Sequence, residues 1–283
     1  LFFYLAAFLA YWRFAAPPAD DAPPAPRNKR WAWYAAALAF FLCAMLSKTV
    51  ACTFPAALLL VLWWKRPHDV KRHLIPLLPF FLIGLSLGLY TAHLERTHVG
   101  ATGAEFDFSH ADRLLIASSA ATFYVAKLAF PYPLSFIYTR WHLAPSDLVQ
   151  WVPLLLDLAL TAALAVAAFG RRRMSGPLVA WLLFVGTLFP ALGFFNVYPM
   201  RYSFVSDHFQ YHASVAMLAL FAAALAYLAC RFPRPARIPL AALLILSLAA
   251  VTFARTRAYQ SALVLWTDTA AKMPRQHLPA KAN

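Results

Sequence analysis

Positive charge in this chain is confined to alternate gaps between apolar runs, and that spacing leaves few folds open. Four gaps are dense in Arg and Lys: Arg13 to Arg30, Lys65 to His73, Arg171 to Arg173, and Arg231 to Arg237. They hold 14 of the 25 basic residues and only three acids (Asp20, Asp21, Asp69), so they carry +11 of the net +14. The other gaps are longer, mixed in charge and rich in His and aromatics. Short basic loops stay on the cytoplasmic side of a membrane. The pattern therefore predicts an all-α, polytopic transmembrane helical bundle whose chemistry lies on the opposite side.

Composition agrees. The chain is 62% hydrophobic and 13% charged, against about 45–50% apolar and about 25% charged in soluble domains. The basic excess does not indicate nucleic-acid binding, because it is pinned between spans, where it answers to topology and anionic lipid. Cys43, Cys52 and Cys230 lie within or at the end of apolar runs and form no CxxC pair. They read as small apolar residues rather than a disulfide or metal framework.

A spanning helix needs about 20 mainly apolar residues. Residues 1–254 are expected to form the membrane domain. Leu1 to Phe14 reads as a partial span, with no initiator Met before it, and Ala15 to Arg30 as an extended cytoplasmic linker. Trp31 to Leu46 and Val50 to Trp64 suggest a tight helical hairpin turning at Lys48. Leu74 to His93, Trp151 to Phe169, Pro177 to Phe195, His212 to Cys230 and Ile238 to Ala254 follow as spans. Leu114 to Phe130 is nearly long enough to cross, but it carries Ser118, Ser119, Thr122 and Lys127. Crossing there would also invert every later basic loop. It is expected to be an interfacial or re-entrant helix inside one exterior region, 93–150.

Three exterior segments carry chemistry. Ser47-Lys48-Thr49 puts an ammonium between two hydroxyls, suited to a lipid phosphate; the alternative is a lysine that snorkels from a turn. The segment 93–113 gathers His93, Glu95, Arg96, His98, Glu105, Asp107, His110, Asp112 and Arg113. Such groups serve acid–base work or a divalent cation, yet their spacing matches no metal motif, and a solvated loop is the competing reading. The segment 196–212 interleaves Arg201, Asp207, His208, Gln210 and His212 with five aromatics, Tyr202 among them. Aromatic faces stack on sugar rings while the polar groups fix hydroxyls or phosphate; an aromatic belt with ordinary loop polars is the alternative. Asp157 lies within a span, about 9 Å from its exterior end at helical rise. An intramembrane acid is a functional hypothesis by default, here a support that pairs with an Arg or Lys.

Four stretches together carry a resemblance: LSKTVACTFPAALLLVLWWKR (Leu46 to Arg66), FPYPLSFIY (Phe130 to Tyr138), RYSFVSDHFQYHASV (Arg201 to Val215) and TRAYQSALVLWTDTAAKMP (Thr256 to Pro274). They resemble bacterial inner-membrane proteins with C-terminal tetratricopeptide repeats, which are similar to the transmembrane and tetratricopeptide O-mannosyltransferases. That resemblance implies a GT-C-like glycosyltransferase fold. It also implies a polyprenyl-phosphate sugar donor, a protein or glycan acceptor, and repeats after the last span on the exterior side. Residues 255–283 would be the lead-in to those repeats, with one helix over Arg255 to Lys272. The family's key acids are expected in an exterior loop upstream of Leu1, so no catalytic base is assigned. Lys48 and Arg201 are the candidate donor-phosphate contacts; Tyr202, Asp207, His208 and Gln210 are candidate substrate contacts, with Asp207 and His208 expected to orient Arg201 or meet the acceptor.

Two further readings stand beside hexosyl transfer. One is a non-catalytic anchor that displays repeats for periplasmic assembly. The other is a transporter of a lipid-linked sugar, which should show internal repeats and broken mid-membrane helices; no clear repeat is visible. The topology is checked by single cysteines at positions 172 and 208 and a membrane-impermeant thiol reagent. Position 172 is expected to label only from the cytosol and position 208 only from the other side; the reverse pattern sinks the scheme.

Overall fold

The computed structural model describes residues 1–16, 27–170 and 175–273. The arginine triplet and most of the expected linker lie outside them. The described residues are helical, with no strand: α1 (Phe2–Ala15), α2 (Arg27–Ser47), α3 (Phe54–Lys65), α4 (Val70–Leu94), α5 (His110–Ala129), α6 (Val152–Gly170), α7 (Ser175–Leu188), α8 (Ser214–Ala229), α9 (Arg234–Thr256) and α10 (Ala262–Lys272). Four helical stretches among them are long and apolar enough to cross a membrane: Asn28–Ser47, Pro67–Val99, Leu148–Gly170 and Arg234–Tyr259.

Several boundaries differ from expectation, for local reasons. Helix α2 already starts at Arg27, inside the stretch expected to be extended. The chain does turn at Lys48, whose backbone is extended, but Thr49–Thr53 then forms a tight 3-10 segment before Pro55 opens α3. Helix α7 stops at Leu188; Pro190 sits in a 3-10 turn and Gly193 takes φ +93°, so the expected span ending at Phe195 is shorter. The expected helix over Arg255 to Lys272 is broken. A 3-10 turn at Arg257–Tyr259 ends α9, and the Ser261 hydroxyl accepts the Val264 N–H to start α10, an N-cap in the usual sense.

The bundle has two chemically distinct ends. At one, the Arg30 Nε donates to the Phe14 carbonyl at 3.0 Å, and Arg66 donates to the Ala15 carbonyl. The Tyr11 hydroxyl meets His73 Nδ1 at 3.2 Å. Trp63 packs on Phe169, and Trp64 lies against Gly176, on the two flanks of the arginine triplet. The chain on either side of the first three basic gaps thus converges. Above that end Tyr11, Phe41, Phe54 and Phe80 form a dry aromatic core between α1, α2, α3 and α4. A second core joins Tyr124 of α5 to Trp181 and Phe184 of α7, with Val205 and Met217 beside them.

The opposite end collects the long polar connections. Arg113 donates to the carbonyls of Gly193 (2.8 Å) and Phe194 (3.2 Å) and to Asn196 Oδ1 (2.9 Å). Asn196 passes a bond on to the Phe106 carbonyl, and Glu95 accepts the Tyr198 N–H at 3.0 Å. Arg140 donates to the Glu105 carbonyl at 2.6 Å. The Tyr124 hydroxyl accepts the Ser206 N–H at 2.9 Å and donates to the Ser206 carbonyl at 3.1 Å.

These bonds fix α5. The chain before it (Glu105) and the chain after it (Arg140) touch each other, and both Arg113 and Tyr124 grip the 193–206 connection. The two ends of this helix are thus each joined to the polar connections. Its Ser109–Asp112 capping box satisfies the first turn.

Gly193 is the tightest joint in this arrangement. A Cβ there would stand 2.6 Å from Ile116 Cγ2, and the φ is left-handed. Both effects oppose any side chain. Gly193→Ala is expected to lower stability by about 2 kcal/mol or more, measured by thermal unfolding in detergent. Gly170→Ala, at a position with nothing within 4 Å, should stay within about 0.5 kcal/mol. Equal effects from the two substitutions would contradict the packing at Gly193.

Candidate functional site

An elongated groove of about 510 Å³ lies between α4, the 3-10 segment after Lys48 and the end of α7. Its α4 wall runs from Phe81 to Glu95, the half of that helix nearest the polar end. Gly84 and Gly88 stand one turn apart on one helix face. A Cβ at Gly84 would come within 3.1 Å of the Cys52 carbonyl, so the missing side chain is what lets the 49–53 backbone approach. Phe81, Leu85 and Leu89 are exposed, which leaves the groove open sideways along α4. The lining is mainly apolar; Lys48, Glu95 and Asn196 are among the few polar side chains, all towards the polar end.

Lys48 occupies the mouth. None of the described ion pairs includes it. Its ammonium sits 5.8 Å from the centroid of Phe209, another lining residue. Partial burial pulls its pKa below the ordinary lysine value. Glu95, the acid of the lining, is already occupied by the Tyr198 N–H. The mouth thus keeps a cation whose charge no carboxylate answers, beside an apolar channel.

Phe209 brings the 207–212 segment to this mouth. His208 hydrogen-bonds Ser206 Oγ through Nδ1 at 2.8 Å, and burial, then the Lys48 charge, depresses its pKa. His212 packs edge-on against Tyr4, and burial holds its imidazole down to about 4. The Gln210 Oε1 is buried and has no hydrogen-bond donor.

Other candidate residues are placed differently. Arg201 does not line the groove; its Nε pairs with Glu105 at 3.1 Å on the outer surface. Tyr202 lies beside Tyr198 there, also exposed. Asp207 does not orient Arg201. It accepts the Tyr138 hydroxyl at 2.7 Å, and Lys127 stands close enough to act on its charge. Asp157 faces Thr122 of α5, whose hydroxyl donates to it, and none of the described ion pairs includes it. A hydroxyl of the neighbouring helix thus meets this acid where a cation was expected. Among the described residues no group of three His, Cys, Asp or Glu is arranged to hold a metal ion. Sequence reasoning missed Gly84, Gly88 and Asn196; the glycine pair at i, i+4 in an apolar span was the available signal.

Burial raises the Asp207 pKa above the ordinary carboxylate value, partly offset by the Tyr138 bond. A carboxyl raised on folding favours the fold below its unfolded pKa, and that favour is lost as pH climbs through the folded value. Asp207→Asn keeps an acceptor for Tyr138 and removes the titration. The stability of wild type relative to this variant is expected to fall as pH rises above about 4, read from unfolding midpoints at a series of pH values. A constant difference would show that Asp207 is not desolvated.

Comparison with family models, curated proteins and solved structures finds no match to this chain.

Proposed function

We propose that this protein is a GT-C-type membrane glycosyltransferase that moves a hexosyl group from a polyprenyl-phosphate donor to a protein or glycan acceptor, in the bacterial inner membrane. The observation that carries this reading is the groove: apolar, open to lipid along α4, and ending at the uncompensated cation of Lys48. A polyprenyl chain fits the apolar channel, and its phosphate meets the ammonium and the Thr49 hydroxyl at the mouth. As the glycosidic bond breaks, charge builds on the leaving phosphate. A fixed cation in a water-poor site stabilises that charge. The sugar then lies towards the 207–212 segment, where Asp207, His208 and Gln210 meet the sugar or the acceptor. Arg201 and Tyr202, outside the groove, are better placed to contact the acceptor than the donor phosphate.

The carrier reading uses the same groove, since a transporter also binds the lipid. It is disfavoured because the α4 lining covers only the half of the helix near the polar end. A one-sided site suits transfer at one face better than passage through the bilayer. The anchor reading gives the groove no task.

The full-length protein in nanodiscs, supplied with a polyprenyl-phosphate hexose and acceptor, tests this. Lys48→Ala is expected to slow transfer by about 10- to 100-fold, the range of a charge-assisted contact. Gly88→Leu, which fills the groove, should weaken donor binding, and Arg201→Ala should cost no more than about tenfold. Wild-type rates in both Lys48→Ala and Gly88→Leu would remove the donor site. Donor binding without any transfer in the wild type would favour the carrier.

A further inference from the structure

A second cavity, about 450 Å³, lies at the polar end of α9, between α9, α10 and the 131–134 segment. Its apolar wall includes Val251 and Ala254 from the α9 span. Three cations line it, Arg255, Arg257 and Lys272, against one carboxylate, Asp268. Asp268 Oδ2 accepts from both Arg255 Nη1 (2.6 Å) and Lys272 Nζ (2.8 Å). The hydrogen bond from Lys272, with help from Arg255, holds that carboxyl below the usual carboxylate range. Among the lining residues that leaves an excess of two positive charges, and Asp207 beyond the lining also acts on Arg255.

The state of Arg255 sharpens this. Its Nη1 is engaged, but Nε and Nη2 are buried and without a hydrogen-bond partner. Those two nitrogens form one edge of the guanidinium, the edge that presents two parallel N–H groups to an oxyanion. Buried donors left unpaired are costly, and the Tyr259 hydroxyl, which also acts on this guanidinium, is the group an incoming oxyanion replaces. Arg257 adds a cation whose described contact is only the Phe253 ring, 5.8 Å away. Lys272 spends two of its three N–H groups on Asp268 and the Leu134 carbonyl.

We propose that this cavity binds the phosphate of an anionic amphiphile, a phosphodiester headgroup whose apolar tail lies along α9. Tail and headgroup each have a matching surface: Val251 and Ala254 continue the apolar helix, and the cations sit directly beyond its end. Arg257 and Lys272 meet the phosphate first. The Arg255 fork engages once the half-exposed Tyr259 ring, 5.1 Å from the guanidinium carbon, moves aside. The ligand would hold α10 to α9. It uses none of the groove residues around Lys48.

The full-length chain is purified in detergent with equal phosphatidylglycerol and phosphatidylcholine, and retained lipids are counted by native mass spectrometry. The basic end also attracts anionic lipid, so the readout is the difference between wild type and variants. Arg257→Gln is expected to lower phosphatidylglycerol retention about fivefold with the melting temperature unchanged. Arg255→Lys keeps the charge, loses the fork, and should lower retention as well. Millimolar inorganic phosphate that protects wild type from unfolding and displaces the lipid would keep the phosphate site and assign it a soluble ligand. Equal retention of the two lipids by wild type, or unchanged retention in both variants, would overturn the proposal.

Discussion

Backbone polarity in a low-dielectric solvent is the constraint on which this architecture depends. A helix satisfies its own N–H and C=O groups, so it survives beside lipid; irregular chain does not. Among the described residues the long irregular stretches 100–109, 130–147 and 192–206 gather at one end of the bundle. There, side chains supply the partners that secondary structure lacks. Arg113 takes two carbonyls and an amide oxygen, Arg140 and Asn196 take one carbonyl each, and Glu95 and Tyr124 take backbone N–H groups. At the other end Arg30 and Arg66 take the Phe14 and Ala15 carbonyls at the end of α1.

The groove follows from the same constraint applied at Lys48. A charged residue cannot stay inside an apolar hairpin, so the chain turns there and re-enters as a 3-10 segment. A 3-10 turn is longer and narrower than an α-turn, and its hydrogen bonds are poorer. It is tolerated where another backbone packs close, and Gly84 permits that approach from α4. The space not filled by side chains at Gly84, Gly88 and Gly186 is the groove. One lysine and a few absent side chains thus produce both an apolar channel and a cation at its mouth.

Much of the fold was legible because hydropathy and charge act over whole segments. The basic gaps marked α2, α4, α6 and α9, and the serines and threonines of α5 set it apart from these four. Ser118 and Thr122 do face protein: Ser118 is buried against its own helix carbonyls, and Thr122 serves Asp157. Lys48 was legible for the same reason, a charge where an apolar run should continue. The pairings within the polar end were not. Arg201 with Glu105 and Asp207 with Tyr138 join residues 96 and 69 positions apart, and nothing local in either segment selects the partner. The end of α7 and the break before α10 rest on single turns, at Pro190 with Gly193 and at Ser261, which a hydropathy window averages away.

Helix α9 shows what the bundle leaves to lipid. It has no buried residue, and its apolar surface faces outward along its length. At its polar end α10 and the turn before it are tied to the 134–136 segment, by Lys272 to the Leu134 carbonyl and by Phe136 edge-on against Tyr259 and Trp266; at its other end Arg237 donates to the Cys230 and Phe232 carbonyls. A span packed against neighbours gains dispersion contacts along its whole face; one with no buried residue gains fewer. The Lys48 groove is built between α4, α7 and a 3-10 segment that packs close on Gly84. The Arg255 cavity lies where α9 meets α10 and the 131–134 segment, so an anion bound there, as proposed, would bridge the end of an otherwise exposed helix.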